Sequence, residues 1–148
     1  MLLFYFISGG PISSLDSRNG KNWSTLLIKD RATTQAMLTA LANDEARRLL
    51  DSTISKSKSV VDLIRECDIA HTSAYRLVNE LKDAGLLAIE KMGLSSDGKK
   101  YAMYRSTFRS MTVKFDHGQV EVDAEVNGDM AQKVFRLFYS LSSGGDPE

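Results

Sequence analysis

Residues 59–86 read SVVDLIRECDIAHTSAYRLVNELKDAGL, and this stretch decides the fold. Ser59-Val60-Val61-Asp62 has the shape of a capping box with Asp in place of the usual Glu, which predicts a helix start at Val60. Val60, Leu63, Ile64 and Cys67 then recur at three and four, the spacing of one buried helix face. Asp68 and Ile69 make a turn. A second helix is predicted from about His71 to Ala84, with Ala74, Leu77, Val78 and Leu81 facing inward. Gly85 stands where a left-handed C-cap is wanted, and Leu86 follows to fold back beneath it. Two short helices joined by a tight turn, the second with polar residues at its start, have the outline of a helix-turn-helix. That motif points to duplex DNA as partner.

After Leu86 the apolar period changes from helical toward two. Leu87-Ala88-Ile89 begin a strand, Ser95-Ser96-Asp97-Gly98 supply turn residues, and Tyr101 to Thr107 return. A hairpin directly behind a helix-turn-helix is the wing of a winged helix, with Lys99 and Lys100 beside its tip. Before the motif, a helical pattern begins at Ala32, with Thr33 or Thr34 as cap and Met37, Leu38, Leu41 and Ala42 as stripe. Asn43-Asp44-Glu45 marks a re-start, because Asn caps well and acidic residues suit a helix N-terminus. Ala46, Leu49, Leu50 and Ile54 continue it.

Residues 109–126 alternate again. Met111, Val113 and Phe115 share one face. Beyond the turn at Asp116-His117-Gly118, Val120, Val122, Ala124 and Val126 share a face of the returning strand, with Lys114, Glu121, Asp123 and Glu125 solvated. Asp129 starts a last helix with Met130, Val134, Leu137 and Leu141 on one stripe and Ala131, Phe135 and Phe138 beside it. The expected architecture is α+β: a winged helix-turn-helix with an added C-terminal β-hairpin and helix. The expected divisions are a weakly structured segment 1–31, the winged domain 32–107, a dimer or effector element 108–141, and a disordered tail 142–148. Residues 8–24, rich in Ser, Gly and Asn, are expected as loop.

The 148 residues are 43% hydrophobic and 26% charged, enough for a core, and the formal net charge is +0. A nucleic-acid site must then come from local clustering of charge and not from a bulk field. A single Cys excludes an internal disulfide and fits a reducing cytoplasm. The apolar start, MLLFYFI, is far shorter than the roughly twenty residues that span a membrane, and no basic region precedes it, so no membrane partner is expected. There is no P-loop, no dinucleotide fingerprint and no Gly-x-Ser-x-Gly elbow, and two His leave little scope for a His-based triad. No enzyme activity is expected.

Residues 38–107 resemble an ArsR-type winged helix of the sort abundant among archaeal transcription regulators. The stretches that carry the resemblance are LTALANDEARRLLDSTI, then SVVDLIRECDIAHTSAYRLVNELKDAGLL, then GKKYAMYR. The most specific string, HTSAYRLVNELKDAGLL, is similar to the family's recognition helix. About half the chain is covered. The resemblance implies a DNA-binding regulator. The family's metal-sensing branch uses a Cys-x-Cys signature, or carboxylates and His in its last helix. Cys67 stands alone and the last helix has no His, so neither metal nor cofactor is expected.

With Ala74, Leu77, Val78 and Leu81 inward, the second helix presents Thr72, Ser73, Tyr75, Arg76 and Asn79 outward, and His71 at its tip. Recognition helices enter the major groove by their N-terminal end. Arg76 suits a guanine edge and Asn79 an adenine. Thr72 and Ser73 suit phosphates or bases, or else only satisfy the helix start. His71 is a DNA contact or an exposed turn residue. Lys99 and Lys100 are backbone contacts of a wing or an ordinary hairpin tip, and Lys56 and Lys58 are further phosphate contacts or solvated lysines. The expected partners are double-stranded DNA and a second copy of the chain, because one recognition helix covers few base pairs. The alternative is a protein-interaction module in which the winged helix is a docking surface.

Overall fold

The computed structural model describes residues 4–6, 14–15, 22–23 and 25–142, with side chains from Thr25 to Phe138. In chain order the elements are β1 (Phe4–Phe6), β2 (Ser14–Leu15), β3 (Asn22–Trp23), β4 (Thr25–Ile28), α1 (Arg31–Leu41), α2 (Asp44–Ser52), α3 (Val60–Cys67), α4 (His71–Asp83), β5 (Leu87–Leu94), β6 (Lys100–Ser106), β7 (Phe108–Asp116), β8 (Gln119–Val126) and α5 (Ala131–Ser142). They form two compact units. One runs from Met37 to Thr107, and the other combines the residues up to Ala36 with those from Phe108 on.

The Met37–Thr107 unit is a winged helix-turn-helix. Asn43 caps α2 by accepting the amide of Ala46 at 3.1 Å. The capping box at α3 is complete: Ser59 accepts from the Asp62 amide at 3.2 Å, and Asp62 accepts from the Ser59 amide at 3.1 Å. Those bonds hold the Asp62 carboxyl below its ordinary range, the Ser59 amide contributing most; partial burial works the other way, and Arg65 adds to the lowering. Asp68 turns the chain in the left-handed region, φ 53°. Ala74, Leu77, Val78 and Leu81 are buried along α4. Burial stabilises by about 1.5–3 kcal/mol for each of the larger three. At the end of α4 Gly85 takes φ 81°, its amide reaches Lys82 O at 3.0 Å, and the Leu86 amide reaches Leu81 O at 2.9 Å. This is a Schellman closure, and it buries Leu86 as the sequence predicts.

β5 and β6 pair antiparallel, with a register shift between Ile89 and Lys91. Lys58 adds a one-residue bridge to Tyr104. The hairpin is pinned at its base by polar side chains. Thr107 Oγ1 donates to Gly85 O at 2.7 Å, and Ser106 Oγ donates to Leu50 O at 2.6 Å. Arg105, 5% exposed, donates from Nε to Ile54 O at 2.9 Å and pairs with Glu90 at 2.9 Å.

The other unit is built on a four-stranded antiparallel sheet of order β1-β4-β8-β7. Leu26, Ile28, Val122, Ala124 and Val126 are buried, as are Met130, Val134 and Phe138, and Phe138 meets Phe108 with ring centroids 5.6 Å apart. His117 and Gly118, at φ 53° and 74°, turn β7 into β8. Two successive left-handed residues match the twist of the strands they join. Cross-strand pairs Met111–Ala124, Val113–Val122 and Phe115–Val120 put the apolar residues of both strands on one face.

Several details differ from the sequence expectation. Within the segment 1–31, β4 pairs with both β1 and β8, and within the expected loop 8–24, β2 pairs with β3. The division between the two compact units falls inside α1, between Ala36 and Met37. Asp30 starts α1 in place of Thr33 or Thr34, accepting the Thr33 amide at 2.8 Å and the Thr33 hydroxyl at 2.7 Å. A carboxylate is a stronger acceptor than a hydroxyl at that site. Ser142 ends α5, and the rest of the expected tail, 143–148, lies outside the described residues. No described helix is long and apolar enough to cross a membrane.

Candidate nucleic-acid interface

Burial of Ala74, Leu77, Val78 and Leu81 fixes which side of α4 meets solvent. His71, Thr72, Tyr75, Arg76 and Asn79 are exposed, and Ser73 is half-buried. The N-cap is Ala70, which has no side chain to close the helix. Thr72 and Ser73 lie past the cap position, so the first amides of α4 have no side-chain cap. His71 leans on Tyr75, ring centroids 5.0 Å apart at 45°. Tyr75 keeps 45% of its surface exposed.

Arg76 is engaged. Its Nη1 donates to Glu80 at 2.9 and 3.2 Å, one turn along the helix. An exposed pair of this spacing contributes about 0.3–0.5 kcal/mol. A bidentate contact to guanine discriminates by about 1–3 kcal/mol, so the pair is weak enough to give way to a base edge.

The wing tip is ordered by its own turn. Gly98 takes φ 85°, and the Ser95 amide donates to Lys99 O at 2.8 Å. The Ser95 hydroxyl bonds the Asp97 carboxylate and accepts the Lys99 amide at 3.1 Å. Ser95 first, then the Lys99 amide, lowers the pKa of Asp97, so an anion sits beside Lys99. Lys99 and Lys100 are exposed, and among the described residues neither is in an ion pair. Lys56 is exposed as well. Lys58 differs: its side chain is 17% exposed and is held by Glu66.

Of the ten candidate residues, six therefore lie together on the first two and a half turns of α4 and two at the wing tip, with Lys56 and Lys58 on the segment leading into α3. Sequence reasoning missed the residues that hold the wing: Arg105, Glu90, Ser106 and Thr107. Their pattern alone carries no signal, because each partner lies more than a dozen residues away.

No protein-family model and no curated protein matches this chain. A solved structure with similarity is the homodimeric winged helix-turn-helix DNA-binding domain of a possible ArsR-family transcriptional regulator from Mycobacterium bovis. The likeness covers 76% of this chain and 80% of that one, at 16% identity and a TM-score of 0.42. The winged helix-turn-helix assignment stands on the element order and hydrogen bonds above. The archaeal side of the sequence resemblance gains no support from this relative.

Proposed function

We propose that this chain is a sequence-specific duplex-DNA-binding transcription regulator of ArsR-like type, acting in the cytoplasm. The observation that carries the reading is the outer face of α4: six polar or aromatic residues clustered at the uncapped start of a 13-residue helix whose opposite side is buried. Arg76 and Asn79 read base edges in the major groove, Tyr75 contacts base or sugar, and His71, Thr72 and Ser73 meet the backbone. Lys99 and Lys100 hold phosphates from the wing, and Lys56 adds to them. Lys58 joins only by leaving Glu66. No metal or cofactor takes part.

The regulator acts as a homodimer, because two half-sites give a selectivity that one helix lacks. Support for self-association comes from β7, which lies at a sheet edge with Val113 and Phe115 exposed at 43% and 74%. Unpaired strand edges with apolar side chains invite a partner.

The test is a selection of bound duplexes followed by affinity measurement. Arg76→Ala should lower discrimination between the selected site and a random duplex about tenfold or more, while Lys99→Ala weakens both similarly. Discrimination unchanged in Arg76→Ala would sink the assignment. The second reading, a protein-docking module, is favoured by one observation: Val61, Met92 and Leu94 of the winged unit are exposed at 59%, 55% and 66%.

A further inference from the structure

The winged unit holds a cavity of about 440 Å³ among the start of α3, the outer side of α4 and the wing. Its walls include Val60, Val61, Tyr75, Tyr101 and Tyr104, with Ser95 at the wing turn, and among the described residues no charged side chain lines it. The volume lies within the range of sites for small molecules, about 300–1,000 Å³. An exposed phosphate-contact surface would be lined by cations, and this one is lined by phenol rings. It differs in kind from the basic wing tip close by in sequence.

The aromatic wall depends on a glycine. Gly93 pairs directly with Tyr101 across the hairpin, and a Cβ at Gly93 would fall 2.4 Å from Cζ and 2.5 Å from Cε2 of the Tyr101 ring. The far end of the ring therefore occupies space over Gly93 that a side chain at 93 would need. None of the three tyrosine hydroxyls has a hydrogen-bond partner among the described residues. The two serine hydroxyls at the cavity are already engaged, Ser59 with the Asp62 amide and Ser95 in the wing turn.

We propose that this cavity binds an uncharged, planar aromatic molecule, and that its occupation opposes DNA binding. Ring faces suit offset or edge-to-face stacking on a planar partner, which adds to what the buried area alone contributes. The free phenol hydroxyls serve a ligand hydroxyl or carbonyl at the edge. The absence of charge from the walls disfavours an ionised ligand, which would lose its hydration without a counter-ion. The coupling rests on the DNA-binding reading above. Tyr75 belongs both to the cavity wall and to the outer face of α4, so a ligand holding its ring in the cavity withdraws it from the duplex. Linkage then makes the effect reciprocal, the duplex weakening the ligand by the same factor.

Naphthol serves as the probe and naphthalenesulfonate as its charged counterpart, both titrated by NMR into the full chain. Naphthol should bind saturably at one site, with the sulfonate at least tenfold weaker. Tyr101→Ala and Gly93→Val should each weaken naphthol about tenfold or more. Tyr101 is partly exposed and position 93 lies in a strand, so both variants should retain the wild-type circular dichroism, and Tyr101→Leu serves if the alanine variant does not. Saturating naphthol should weaken duplex binding several-fold. The site is overturned if naphthol fails to saturate, if the sulfonate binds as tightly, or if Tyr101→Leu binds as the wild type does. Saturable binding with unchanged duplex affinity overturns the coupling. Binding of naphthol by a chain that binds no duplex leaves the site standing and removes the DNA-binding reading instead.

Discussion

The outer face of α4 and the outer end of β7 are both open to solvent, and they are open for different reasons. On α4, the exposed residues are hydrogen-bonding or charged, and the buried stripe of Ala74, Leu77, Val78 and Leu81 is complete beneath them. On β7, apolar residues continue along the face that buries Val122 and Ala124, yet Val113 and Phe115 remain in water. The first surface is finished as a helix and offers polar chemistry. The second is unfinished as a core and offers apolar area. One surface presents polar side chains to whatever meets it, and the other gains by being covered.

The two regions also differ in what holds them. The wing behind α4 is pinned by Arg105, a nearly buried cation joined to Glu90 and to Ile54 O. Removing one partner of a buried pair is strongly destabilising, because it strands the other. Arg105→Ala should lower unfolding stability by about 3 kcal/mol in urea titration, whereas Phe115→Ala, at a site 74% exposed in the single subunit, should change the stability of the monomer, measured at a dilution that separates any partner copy, by less than about 0.5 kcal/mol. Equal effects would erase the contrast between a pinned wing and an uncovered strand end.

A smaller effect is expected at the start of α3. Asp62→Asn removes the carboxylate from the capping box and should cost about 1 kcal/mol at neutral pH. Because the folded pKa of Asp62 lies below its ordinary 3.8, this contribution is present above that value and lost as pH falls through the lowered one. Wild type and variant should therefore converge in acid denaturation, and a gap that persists at the lowest pH would contradict the assignment.

The smallest effect has the opposite sign and lies on β8. Burial, and then Glu125 nearby, raises the pKa of Asp123 above 3.8. A folded state that holds the proton more tightly is penalised once pH rises through the raised value, and not below 3.8. Asp123→Asn should stabilise the protein by about 0.5 kcal/mol at neutral pH and by nothing in strong acid. Thermal melts at the two pH values check this.

What was legible in the sequence was local. Ser59 with Asp62, Asn43 with its acidic followers, and Gly85 each act through bonds to residues within five positions, so their neighbours suffice to read them. The six α4 candidates followed from the helical period, because the inner face dictates the outer. What was not legible was long-range. Thr25–Ile28 becomes a strand by pairing with residues nearly a hundred positions later. Arg105 finds Glu90 and Ile54 only after the hairpin forms beside α2, and the irregularity near Glu90 is not visible in an alternating pattern. The cavity draws Tyr75, Tyr101 and Tyr104 from two elements, and nothing in their spacing announces it. Engagement was hidden too: Glu80 on Arg76 follows helical spacing, but Glu66 on Lys58 bridges a loop and a helix.

The most direct measurement is the salt dependence of duplex binding by the wild type and by the double variant Lys99→Ala, Lys100→Ala. Each phosphate contact contributes a slope of about −0.9 in log affinity against log salt. The expected result is a steep negative slope for the wild type that becomes shallower by about 2 in the variant. A wild-type slope near zero, or one that the two lysines leave unchanged, would contradict the claim that α4 and its wing grip duplex DNA.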